Sequence, residues 1–166
     1  MKLTREVGFT LTELVIAMAV MAIGLALAVP SFQDMVAKKR LKLAAETVMA
    51  DFNFFKQEGL KQRLSNFSFN VDDGASWCYG IELGSCTCST ANDCSVRQVI
   101  GSDFNGISSI TSSASRFDYS WVRGQVTPGT ITLNSPAGYD LQVDISSLGQ
   151  VSMCTNSTGM FEYPSC

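Results

Sequence analysis

The chain has 166 residues, of which 46% are apolar, with 15 Asp/Glu, 12 Lys/Arg and no histidine. That length fits one domain, or one domain with an extended helix, and without histidine both the usual imidazole base and the commonest metal ligand are missing. Residues 1–64 carry nine of the Lys/Arg and six of the Asp/Glu, whereas residues 65–166 carry only Arg97, Arg116 and Arg123 against nine acids. A broad phosphate-binding surface in the second part is therefore disfavoured, because affinity for nucleic acid comes largely from cations that neutralise phosphates.

The first residues read Met-Lys-Leu-Thr-Arg-Glu-Val-Gly, followed by Phe9-Thr-Leu-Thr-Glu13. From Leu14 to Val29 nothing charged or strongly polar appears. As a helix, Phe9 to Phe32 would extend about 36 Å, enough to cross a bilayer. A secretory signal places its cleavage site after the apolar core. Here the processing site, Gly8 before Phe9, precedes that core, so cleavage would keep the helix in the mature protein. Glu13 is costly near the start of a membrane helix unless it is interfacial, protonated or paired. The amine freed at Phe9 would lie four positions away on the same helix face and could pair with it, within one subunit or between neighbours.

Gly8-Phe9-Thr10-Leu11-Thr12-Glu13-Leu14 resembles the prepilin processing motif of type IV pilins and type II secretion pseudopilins, and Pro30 stands where such pilins place a helix-kinking proline. The resemblance implies a leader of residues 1–8, cleavage after Gly8 by a membrane-embedded prepilin peptidase, and N-methylation of Phe9. It also implies a role for Glu13 in docking the subunit. Residues 9–36 would then be the transmembrane and filament-core half of a helix, and 37–166 a periplasmic globular domain. Four cations, Lys38, Lys39, Arg40 and Lys42, follow the apolar span, against Lys2, Arg5 and the α-amine before it. Positive-inside counting alone favours the opposite orientation; the cysteines and the motif outweigh that small excess. The basic run itself reads as a solvated or headgroup-facing helix end.

Beyond Pro30, Leu41, Ala45, Val48, Phe52 and Phe55 recur at spacings of four and three, one face of an amphipathic helix that should end around Arg63 to Asn66. Pro30 removes one helical hydrogen bond, so a kink or local melting is expected between Ala26 and Pro30. From Phe67 the period becomes two. Strands are expected at Phe67–Val71, Trp77–Leu83, Val96–Ile100, Phe117–Trp121, Thr130–Leu133, Leu141–Ile145 and Gln150–Cys154, with Ser108 to Ser115 as a loop. The fold class is α+β and pilin-like: a long kinked N-terminal helix packed on an antiparallel β-sheet body. Trp77-Cys78-Tyr79-Gly80-Ile81, the insert Gly84 to Cys94, and Ile145 to Cys154 resemble the minor-pilin group that includes FimT, FimU and the H-type pseudopilins of type II secretion. Some DNA-uptake members of that group carry arginine directly after the glycine and again two positions later. This chain has Gln150 and Ser152 there.

All six cysteines, Cys78, Cys86, Cys88, Cys94, Cys154 and Cys166, lie beyond the apolar span, as a disulfide framework in an oxidising compartment would. The first four lack the paired C-x2-C spacing of zinc sites, so no metal or other cofactor is expected, and they leave three pairings open. Cys154 and Cys166 are expected to join the last strand to the chain end. No catalytic constellation emerges. The expected function is therefore a minor type IV pilin that helps to start or cap a filament, with a minor pseudopilin of type II secretion or a DNA-binding minor pilin as alternatives. Partners would be other major and minor pilins, the peptidase and an inner-membrane assembly platform. DNA, contacted through Arg97, Arg116 and Arg123, is a less favoured partner.

Overall fold

The computed structural model describes residues 10–63, 66–160 and 162–166. Gly8 and Phe9 lie outside them. The chain divides into two compact units, the first ending at Val36 and the second being Ala37–Cys166.

Helix α1 runs Leu11–Gln62 without interruption, through Pro30. Of the kink or local melting expected near Ala26 to Pro30, melting does not occur. A proline removes one intrahelical donor, and an otherwise strong helical run on both sides can carry that single loss. In the first unit the apolar side chains from Leu11 to Phe32 are all exposed. This part of the helix is long and apolar enough to cross a membrane, with a mean hydropathy of 2.4 over its best window. So large an uncovered apolar surface needs lipid or other protein around it.

In the second unit α1 buries Leu41, Ala44, Ala45, Val48, Phe52 and Phe55, the face set by the sequence periodicity. Arg63, with a φ of 51°, closes the helix in the left-handed region one residue after Gln62. Among the described residues nine strands follow, in two sheets rather than one. Strands β1 (Phe67–Asp72), β2 (Cys78–Leu83), β3 (Arg97–Ile100), β5 (Arg116–Ser120) and β6 (Gln125–Val126) form a sheet ordered β3-β2-β1-β5-β6. Strands β4 (Ser109–Ser112), β7 (Gly129–Asn134), β8 (Asp140–Ile145) and β9 (Val151–Cys154) form the second, ordered β4-β7-β8-β9. The pairings between these strands are all antiparallel.

One core holds the unit together. Phe52 lies 5.4 Å from Phe55, 5.4 Å from Phe69 and 5.9 Å from Phe117 between ring centroids. Tilted and edge-to-face pairs of this kind add to the gain from burial alone. Ile131, Leu133, Leu141, Val143 and Ile145 bring the second sheet into the same cluster. Gly59 exists because Tyr119 needs the space: a Cβ there would stand 2.6 Å from the Tyr119 ring.

The expected loop at residues 108–115 contains β4 instead. Its Ser/Thr-rich sequence has one large apolar residue, Ile110, which is buried and paired with Leu133. One anchor in four residues is too little for a periodicity argument, and the strand exists because β7 offers it a partner. The two-residue β6 is also set by pairing, with Tyr119 opposite Val126.

Candidate functional site

At the described start of α1, Thr10 and Glu13 satisfy each other. The Thr10 backbone N–H donates to the Glu13 carboxylate at 3.1 Å, and the Glu13 N–H donates to the Thr10 hydroxyl at 3.2 Å. This is a capping box, closed further by the Thr10 hydroxyl donating to the same carboxylate at 3.0 Å. For Glu13 the sequence allows an interfacial seat or a pair with the amine freed at Phe9, within one subunit or between neighbours. The pattern Thr10-x-x-Glu13 was the signal for a partner three residues away.

Lys38 and Lys42 of the basic run are turned onto the body, whereas Lys39 and Arg40 are exposed. Lys42 donates to Glu162 at 2.9 Å and lies 5.9 Å from the Tyr163 ring centroid. Lys38 sits 4.7 Å over Tyr139, and the methylenes of Arg40 pack at Gly106. The hydrogen bond to Glu162, with added charge effects from its surroundings, holds the Lys42 ammonium above its ordinary pKa. Lys42 therefore fastens the helix to the C-terminal loop, where the sequence alone reads as a solvated or headgroup-facing helix end.

That loop is closed by a disulfide between Cys154 and Cys166. Inside it, Asp140 accepts from the Asn156 N–H at 3.1 Å and from the Ser157 hydroxyl, while Thr155 donates to the Asp140 carbonyl at 2.7 Å.

The other four cysteines form two interleaved bridges, Cys78–Cys88 and Cys86–Cys94. They fold the β2–β3 connection back over the polar face of the first sheet, where Ser68 and Asn70 are buried. Gly80 makes this possible, since a Cβ there would lie 2.2 Å from Cys94 Sγ. Gln98 donates to the carbonyls of Cys88 at 2.7 Å and Thr90 at 2.8 Å, holding the loop from below. Glu82 accepts from Ser95, whose hydrogen bonds lower its pKa.

The three arginines do not form one surface. Arg97 donates to Asp51 at 3.0 Å, and Tyr79 donates to the same carboxylate oxygen at 2.8 Å. Burial first, then the Asp51 charge, push the Tyr79 phenol far above its ordinary pKa. Arg116 pairs with Asp118 at 3.0 Å. Arg116 and Arg123 line one open cavity of about 680 Å³ with Asn66, Tyr119, Trp121 and Gln125. Among the described residues no group of three or more His, Cys, Asp and Glu is placed to hold a metal ion.

A long, largely apolar helix whose second half packs on antiparallel sheets, with three disulfides, is the pilin-like α+β fold. Residues 6–29 match the family model described as the prokaryotic N-terminal methylation motif, and residues 44–149 match the one described as type II transport protein GspH. The chain belongs to the GspH family, whose members are structural rather than enzymatic subunits. The methylation motif implies processing by a prepilin peptidase; the family implies anchoring in the inner membrane and assembly with other pseudopilins. No curated protein and no solved structure matches the chain.

Proposed function

We propose that the chain is a minor pseudopilin of a type II secretion system, a structural subunit of the periplasmic filament. The observation that carries this reading is the GspH match over residues 44–149, which covers the helix face, the first sheet and most of the second. It favours secretion over the minor type IV pilin expected from the sequence. Within this reading, cleavage follows Gly8, Phe9 becomes the methylated N-terminus, and residues 37–166 face the periplasm.

Glu13 carries the docking step. Its capping box with Thr10 supports this, because a carboxylate satisfied within its own subunit can remain in the bilayer until assembly offers the amine of Phe9. DNA binding has less support: Arg97 and Arg116 are engaged with Asp51 and Asp118.

Deletion of the gene in its host tests the proposal. Loss of exoprotein secretion with intact pilus retraction is expected. Normal secretion with lost piliation would return the chain to the type IV pilus.

A further inference from the structure

Phe67, Phe69 and Phe117 turn inward to the core, so the residues that alternate with them on β1 and β5 turn outward. The register sets Ser68 beside Asp118 and Asn70 beside Arg116 on that outer face, which makes a polar floor. The disulfide-closed segment from Ser85 to Cys88 stands along one side of the floor, and Thr127 along the other. Two open cavities of about 680 Å³ each lie here, the one already described at Arg123 and a second that reaches Asp72. Ser85, Arg116, Asp118 and Thr127 line both, so the two are one groove. It follows β1, whose six residues at about 3.4 Å each give a length of about 20 Å.

The lining narrows the class of ligand. Two guanidiniums, Arg116 and Arg123, stand against two carboxylates, Asp72 and Asp118, and the other polar side chains are hydroxyls and amides. Balanced charge disfavours a polyphosphate, whose affinity needs an excess of cations. The groove also lies over the face of the sheet, where the backbone of β1 is already paired with β2 and β5. An extended peptide therefore cannot enter as an added strand.

A polyol meets both conditions. Arg116 and Asp118 are paired at 3.0 Å yet 49% and 46% exposed, so a donor and an acceptor stand side by side for two neighbouring hydroxyls. Trp121, 43% exposed at one end of the groove, offers an indole face to the C–H face of a sugar ring. The Cys78–Cys88 and Cys86–Cys94 bridges fix the Ser85–Cys88 wall before any ligand arrives, which lowers the ordering cost of binding.

We propose that this groove binds an oligosaccharide, a chain of about four β-linked pyranose rings lying along β1 with one ring stacked on Trp121. Two sources share this chemistry: the N-acetylated glycan of a cell wall and unsubstituted glucan outside the cell. The inference goes beyond the secretion reading and does not depend on it, because the groove belongs to a single subunit.

The test titrates the full chain, in a zwitterionic detergent without a sugar headgroup, with chitotetraose and separately with cellotetraose. The chain has two tryptophans and Trp77 is buried, so a change in emission reports Trp121. Saturable binding with a Kd of about 0.1–1 mM is expected for an open groove. Trp121→Ala and Asp118→Asn, followed by titration calorimetry, should each weaken it about tenfold. Preference for chitotetraose assigns the groove to cell-wall glycan, and preference for cellotetraose assigns it to glucan; either upholds the proposal. No binding of either sugar at about 10 mM, or binding that both variants keep at full strength, would overturn it. Tighter binding of a single-stranded oligonucleotide or an extended peptide, lost in the same variants, would overturn it too.

Discussion

The Tyr79 hydroxyl donates to Asp51 Oδ2 at 2.8 Å, across the contact between helix α1 and strand β2. The same oxygen accepts from Arg97 Nε at 3.0 Å, so one carboxylate on the helix ties down two adjacent strands. Asp51 is 7% exposed on a helix face otherwise made of Leu, Ala, Val and Phe, and only this pairing makes its burial tolerable. Tyr79→Phe should lower the stability of the body by about 1.5–3 kcal/mol, the value of a hydrogen bond to a charged group. Urea denaturation of the parent and the variant measures it.

The same pair sets a pH dependence. Burial and Asp51 raise the folded pKa of Tyr79 above its ordinary 10.0. A raised folded pKa gives a contribution that is complete below the unfolded pKa and is lost as pH rises through the folded one. Stability should therefore fall above pH 10.0 in the parent, and the stability gap to Tyr79→Phe should narrow there. A gap that stays constant across that range would show that Tyr79 does not titrate as the structure requires.

Thr10→Ala removes the hydroxyl half of the capping box while leaving Glu13 in place. The loss of an N-cap of this type costs about 0.5–2 kcal/mol. In detergent micelles, hydrogen exchange of the first-turn amides should accelerate, with the amide of Glu13 changing most, since its acceptor is gone. Unchanged exchange would mean that the box does not form in a membrane-like solvent.

Opening the bridge with Cys154→Ser and Cys166→Ser should cost about 2–4 kcal/mol for a loop of this size. It should also release Glu162 and Tyr163 from Lys42, which they hold at the start of the body. Faster acetylation of Lys42 in the double variant, read by mass spectrometry, checks the second effect separately from the first.

Gly80→Ala should interfere with oxidative folding, because the new methyl would occupy the position of Cys94 Sγ. Refolded protein should contain free thiols at Cys86 and Cys94, with Cys154–Cys166 formed normally. Quantitative formation of all three bridges would show that the loop can find another seat.

The helix and most of the strands were legible because their residues repeat: Leu41, Ala45, Val48, Phe52 and Phe55 define one face at helical spacing, and Phe67, Phe69 and Val71 define another at strand spacing. β4 was not legible, since Ile110 is its single anchor and Leu133, which completes it, lies 23 residues away in sequence. The division into two sheets depends on which edges meet, a property of pairing rather than of any one strand. At the N-terminus the motif was legible but the Thr10–Glu13 reciprocity was overlooked. Arg97 and Arg116 could be counted as cations from sequence, but their partners Asp51 and Asp118 become visible only in the fold.

The most direct test of the account is mass spectrometry of the chain recovered from sheared, detergent-resistant filaments of cells that overproduce the secretion system. The account predicts a mature subunit that begins with N-methylated Phe9, carries three disulfides and co-fractionates with other pseudopilins. A chain found only in membranes, still bearing residues 1–8, would contradict it.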